Sequence, residues 1–190
     1  MPLNVRIGIN PLSWMNDDLP SLGGETPLST ALTEGKQIGY EGFELGNKFP
    51  CEPQALKTLL AQYDLALVSG WYSGRLAERS VEEEITSVAP HLDLLARNGA
   101  TVMVYGEVAN WIYQRPRFFS DAQWSQYAER LNRFAEYTLS HGVRVAYHHH
   151  MGTYAETPNW SFLDAVINGA FTVPGRGRGL SGHRRVPRAA

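Results

Sequence analysis

What most constrains the fold of this chain is an alternation. Short β-forming runs and longer helical patterns succeed one another at intervals of roughly 30 residues, the length of one strand–helix–strand unit. The β-forming runs cover residues 5–9, 40–45, 65–69, 101–105 and 143–147, each rich in Val, Ile, Leu, Phe or Tyr. Helical patterns with start and stop signals lie between them. Thr26 is placed to cap the first, with Pro27 at its first position and Gly39 as its stop. Glu52-Pro53 opens the second, with Leu56, Leu59 and Leu60 at helical spacing. Ser80 and Glu83 form a capping box for the third, whose apolar face is Ile85, Val88, Leu92 and Leu95 and which stops at Asn98-Gly99. Ser120-Asp121 starts the fourth, with Tyr127, Leu131, Phe134 and Leu139 on its buried side and Ser140-His141-Gly142 as its end.

Strands alternating with helices pair in parallel through right-handed crossovers, which leaves an open doubly wound sheet or a (β/α)8 barrel. No strand runs into a Gly-x-Gly-x-x-Gly or Walker loop, so nothing marks a nucleotide site. Instead each strand ends in a different polar or aromatic group: Asn10 and Trp14, then Glu44, Asn47 and Lys48, then Trp71 and Tyr72, then Glu107, then His148 to His150. A barrel assembles one site from several strand ends in this way. The reading is therefore a partial TIM (β/α) barrel, about five of eight units.

The last strand is the richest in chemistry. Val143, Val145 and Tyr147 lead directly into three imidazoles. By strand alternation His148 and His150 share one face, about 7 Å apart at roughly 3.3 Å of rise per residue, and His149 faces the other way. Such a pair could share a metal or a substrate, since neutral imidazole is a common ligand and a near-neutral acid or base. Each of them can equally be a buried histidine with a satisfied hydrogen bond.

Composition narrows the function classes. No stretch reaches the ~18 to 20 apolar residues that span a bilayer, and the N-terminus lacks a signal-peptide layout, so a soluble, cytoplasmic protein without a membrane partner is expected. The single Cys51 can make no internal disulfide and no cysteine-based metal motif. Residues 1–170 hold 12 Lys and Arg against 19 acids, 12 − 19 = −7, whereas residues 171–190 hold five Arg and no acid, +5. Five Arg without interleaved aromatics do not make a nucleic-acid arm, and no nucleic-acid partner is expected.

Several motifs in order are also recognisable: Arg6-Ile-Gly-Ile-Asn-Pro-Leu-Ser-Trp14, Gly42-Phe-Glu-Leu-Gly-Asn-Lys48, Ser69-Gly-Trp-Tyr-Ser-Gly-Arg75, Val104-Tyr-Gly-Glu-Val108, Gln114-Arg-Pro-Arg-Phe118 and Ala146-Tyr-His-His-His-Met-Gly-Thr153. Together they resemble the myo-inosose-2 dehydratases of the xylose-isomerase-like barrel superfamily. The resemblance implies removal of water from 2-keto-myo-inositol (scyllo-inosose), a cyclic polyol ketone, in inositol catabolism. It implies a divalent metal, cobalt or manganese, and admits glutathione as a second cofactor. A sugar isomerase or epimerase of the same superfamily is the alternative. Carried onto this sequence, the resemblance makes His150, Glu107 and His149 the catalytic candidates. Asn10, Trp14, Glu44, Lys48 and Trp71 become candidates for substrate binding. His148 stands where the superfamily has its first metal-ligating Glu, which makes it the metal candidate and a departure from the pattern.

After Glu156-Thr-Pro158 the pattern fails, and residues 174–190 are Gly, Pro and Arg with almost no apolar periodicity. The expectation is a barrel portion over residues 1–158 and a tail over 159–190 that is out of frame or disordered, in a truncated family member with impaired turnover.

Overall fold

The computed structural model describes residues 6–109, 119–150, 152–153 and 171–172. Six strands form one parallel sheet among these residues, in the sequential order β1 Gly8–Ile9, β2 Gly42–Leu45, β3 Ala66–Gly74, β4 Val102–Glu107, β5 Arg144–His148 and β6 Phe171–Thr172. The helices between them are α1 Leu28–Ile38, α2 Pro53–Gln62, α3 Val81–Arg97 and α4 Asp121–Ser140, and a short 3-10 turn, Pro11–Ser13, follows β1. Sequential order without reversal is the topology of a barrel wall, and it excludes the doubly wound alternative.

The sheet has two unlike faces. Phe43, Leu67, Met103, Tyr105, Val145 and Tyr147 point toward the helices and are buried with Leu32, Leu56, Leu60, Val88, Leu92, Leu95, Leu131 and Phe134. Their neighbours along β4, Val102 and Val104, point to the other face and are only half-buried. The side chains that follow the same inward parity at the strand ends form the candidate site.

The caps agree with the sequence for three helices. Glu52 accepts from the amides of Gln54 and Ala55, and Ser80 with Glu83 and Ser120 with Gln123 form capping boxes. For α1 the cap position is Pro27 and no side chain caps it. Thr26 instead belongs to the preceding turn, its N–H on the Gly23 carbonyl and its own carbonyl on Lys48. Leu139, expected on the buried side of α4, is 40% exposed.

β3 and β4 run further than their composition suggests. Residues 70–74, rich in Gly and Ser, lie beyond the expected strand 65–69, yet Trp71, Tyr72, Ser73 and Gly74 pair with Val104, Tyr105, Gly106 and Glu107. Gly74 is a packing residue, not a turn: a Cβ there would meet the Tyr105 ring at 2.0 Å. Tight packing, not left-handed backbone, explains the glycine.

Residues 1–5, the Gln114-Arg-Pro-Arg-Phe118 motif, and residues 154–170 and 173–190 lie outside the described residues. The expected disordered tail falls there. Between them, Phe171 and Thr172 pair in parallel with Val145 and Ala146 of β5. Among the described residues no helix is long and apolar enough to cross a membrane.

Candidate functional site

The inward residues of four strands converge at the carboxyl ends. β2 contributes Glu44, whose two oxygens are both occupied: Asn10, just after β1, donates its amide to Oε1, and the Ser69 hydroxyl of β3 donates to Oε2 at 2.6 Å. Asn10 is itself fixed, because its Oδ1 accepts the Leu12 amide at 2.9 Å and caps the 3-10 turn. Two residues along β3 from Ser69, Trp71 points the same way and donates its Nε1–H to the Ser73 hydroxyl at 2.9 Å. The indole lies across β4 at Gly106, where an added Cβ would sit 2.3 Å from Trp71 Cζ2. Only glycine lets an aromatic ring approach the strand this closely.

β5 closes the cluster. Gly106 pairs with His148, so the imidazole emerges beside the indole. The His148 and His150 rings meet Trp71 edge-on, with centroids 5.2 and 6.1 Å away, and stand 5.5 Å from each other. The expected pairing of His148 with His150 on one face therefore holds. The expected segregation of His149 does not, because β5 ends at His148 and strict alternation ends with it. The His149 ring stacks against His148 at 6.2 Å and is exposed. A turn from His150 to Thr153 holds the segment, with Gly152 at φ 80° and the buried Thr153 hydroxyl on the His150 carbonyl at 2.7 Å.

Partial burial, then the neighbouring His150 and His149, lower the His148 pKa below the usual imidazole value, against a smaller opposing pull from Glu44. These influences favour the neutral form of His148, which is a proton acceptor or a ligand. Among the described residues no three His, Cys, Asp or Glu side chains converge as a metal site. His148 and His150 could give a divalent ion two nitrogens, while Glu44 already spends its oxygens on Asn10 and Ser69. The described residues alone do not make up a metal centre.

Three residues expected at the site are elsewhere. Trp14 packs on Phe43 at 5.7 Å and donates to Glu34 of α1 at 2.6 Å, so it belongs to the helix layer. Lys48 gives its ammonium to the carbonyls of Gly23, Gly24 and Thr26 at 2.6 to 3.0 Å, which ties the loop after β2 to the loop before α1. Those three bonds exhaust its donors and leave none for a substrate. Glu107 reaches the strand end but on the helix side of β4. It is 1% exposed and accepts from the Tyr105 hydroxyl and from the amides of Ala77 and Ala109. Conversely, Ser69, Ser73 and Gly106 line the site without having been singled out. Their signal was the spacing of two from Trp71, readable once β3 is continued through residue 74.

The chain and its fold have known counterparts. Rhizopine catabolism protein MocC of Rhizobium meliloti is 42% identical over 192 aligned residues, covering 95% of this chain and 57% of that protein. Inosose dehydratase of Mesomycoplasma hyopneumoniae (strain 7448) is 35% identical over 157 residues, covering 79% of this chain and 52% of that protein. The chain thus spans about half the length of the curated relatives it matches. Among solved structures, a probable 3-DHS dehydratase AsbF from Bacillus anthracis superposes with a TM-score of 0.64 at 13% identity, covering 89% of this chain and 62% of that one. The model of the xylose isomerase-like TIM barrel matches residues 32–167, past the expected break at 158, and the chain belongs to that family.

Proposed function

We propose that these β/α units carry part of the active site of an inosose-dehydratase-like hydro-lyase, which removes water from 2-keto-myo-inositol to leave a trihydroxycyclohexane-dione. The relatives named inosose dehydratase support a small cyclic polyol as substrate. The observation that carries the reading is the convergence of two imidazoles on one indole at the strand ends, beside the Asn10–Glu44–Ser69 cluster.

The reaction needs a base to take the C–H proton next to the ketone and a proton for the departing hydroxyl, which leaves as water. A neutral His148 is suited to accept the first proton, and His150, 5.5 Å away on the same face, is near enough to reach the same substrate. The Trp71 indole offers an apolar wall to a C–H face of the polyol, and the second Nδ2–H of Asn10 and the lone pairs of the Ser69 hydroxyl offer a donor and an acceptor to its hydroxyls. Asn10 and Ser69 hold the Glu44 carboxylate in one orientation before any substrate arrives.

Incubation of the chain with 2-keto-myo-inositol, followed by the ultraviolet absorbance of the dione, tests the proposal. Parallel arms contain cobalt, manganese, glutathione or none, beside a full-length inosose dehydratase. Because the chain spans about half of such a relative, its turnover is expected to fall well below the reference and to vanish in His148→Ala. A ketose converted to its epimer, with no dione from inosose in any arm, would favour the isomerase reading instead.

A further inference from the structure

Three consecutive amides after β3 end on buried side chains behind the sheet. Arg75 N–H donates to Glu84 Oε1 at 3.1 Å, Leu76 N–H to the Tyr105 hydroxyl at 3.2 Å, and Ala77 N–H to Glu107 Oε2 at 3.0 Å. Tyr105 passes its own proton to the same Glu107 oxygen at 3.0 Å. The other oxygen, Oε1, takes the amide of Ala109 from the loop after β4 at 2.9 Å. The carboxylate thus bridges two loops that leave adjacent strands, one just past Ser73 and the other just past Gly106. Leu76 and Ala109 are fully buried, so their amides, once lost from this arrangement, have no water to turn to.

Among the described residues Glu107 has no ion pair, and a buried carboxylate without one is expensive to keep. Among the described residues, every bond it makes serves loop backbone or the tyrosine that holds loop backbone, and none points to the face where His148 and Trp71 lie. We propose that Glu107 is a positioning residue, which from behind the sheet fastens residues 75–77 to Ala109 and so fixes the rim of the site beside Trp71 and Ser73. The importance of that rim rests on the dehydratase reading, but the latch itself does not.

The latch is also poised to respond to pH. Burial, the largest influence, pushes the Glu107 carboxyl up to about 7 against the bonds from Ala109, Ala77 and Tyr105. The groups that face it are Tyr105 on its own strand, Glu84 of α3, Arg75 of the loop, Tyr127 of α4 and Tyr147 of β5. The tyrosines are all held neutral well beyond this range. Protonation adds a donor on one oxygen and removes the charge, so the acid accepts from Ala77, Tyr105 and Ala109 more weakly than the carboxylate does. With the carboxyl still buried when a loop lifts, its protonation favours local opening of the two loops as pH falls through about 7, while the whole fold, whose unfolding solvates Glu107, gains stability in the same direction.

Hydrogen–deuterium exchange of the backbone amides, corrected for intrinsic rates and followed from pH 6 to 8, reads the latch without any turnover. In the wild-type chain, protection at Ala77 and Ala109 is expected to fall about 10-fold or more toward pH 6, while Arg75, held by Glu84, changes little. In Glu107→Gln, Ala77 or Ala109 should exchange about 10- to 100-fold faster at pH 8 and show no pH step. Tyr105→Phe removes one bond that favours the carboxylate, so the midpoint should move upward, which keeps the idea testable if the Gln variant does not fold. Protection that is flat with pH in the wild type, or unchanged in both variants, overturns the proposal. So does an inosose turnover in a full-length context that Glu107→Gln abolishes while loop protection stays intact, since that marks a proton-transfer group.

Discussion

Replacing Glu107 by Gln isolates one buried ionisation and lets its energy be worked out. The folded-state pKa of about 7 lies above the ordinary 4.5. Between those values the folded chain holds a proton that the unfolded chain has lost, so stability falls as pH rises through that window. At about 1.4 kcal/mol per pH unit, a gap of roughly two and a half corresponds to about 3 kcal/mol, most of it between pH 5 and pH 8. Gln carries no charge at any pH and escapes this loss. Other groups slope the opposite way: burial lowers the pKa of His91, and His148 is lowered too, so both favour the folded state as pH rises toward the usual imidazole range. The difference between wild type and Glu107→Gln cancels them. Urea unfolding at pH 5, 6, 7 and 8 should show that difference moving by about 2 to 3 kcal/mol in favour of the Gln variant as pH rises. A difference that is flat over this range, or that moves against Gln, refutes the account of Glu107 as a carboxylate whose burial outweighs its hydrogen bonds.

Other perturbations follow from single contacts. Gly74→Ala pushes a methyl to within 2.0 to 2.3 Å of the Tyr105 ring, which is fully buried; a loss of about 1 to 3 kcal/mol in urea unfolding is expected, typical of overpacking. Gly106→Ala places its Cβ 2.3 Å from the Trp71 indole; the ring must leave β4, so ligand-induced quenching of Trp71 fluorescence should be lost, even where the fold persists. Lys48→Met strips three carbonyls of their ammonium; cleavage by a protease within residues 20–27 should speed up by about 10-fold, with helical circular dichroism unchanged.

Much of this architecture is legible in the sequence, and the failures have physical causes. Capping residues such as Ser80 with Glu83 act locally, so they show in a short window of sequence and appear in place. The extent of β3 is not local. The β-forming run ends at residue 69, yet the backbone of Gly70-Trp-Tyr-Ser-Gly74 continues the strand beside β4, and its glycines are small because His91, Leu95 and Tyr105 crowd them. The alternation rule found His148 and His150 because β5 runs up to the first of them, and lost His149 because it stops there. Trp14, Lys48 and Glu107 sit at strand ends in sequence but turn into the helix layer or onto loop carbonyls. A strand end fixes which end of the sheet a residue occupies and leaves open which side its side chain takes. The inosose-dehydratase resemblance was carried by ordered motifs spread along the chain, and the relatives bear it out.

The central claim is that one face at the strand ends, with His148, His150 and Trp71 at its heart, receives a cyclic polyol ketone. Nuclear magnetic resonance of the imidazole and indole protons, during titration with 2-keto-myo-inositol, addresses it most directly and requires no turnover. The His148, His150 and Trp71 signals should shift together along one saturable curve, while those of His91, His141, Trp14 and Trp124, which lie away from that face, stay in place. Saturable shifts at Trp14 or His91 with His148 and Trp71 unmoved would contradict the account.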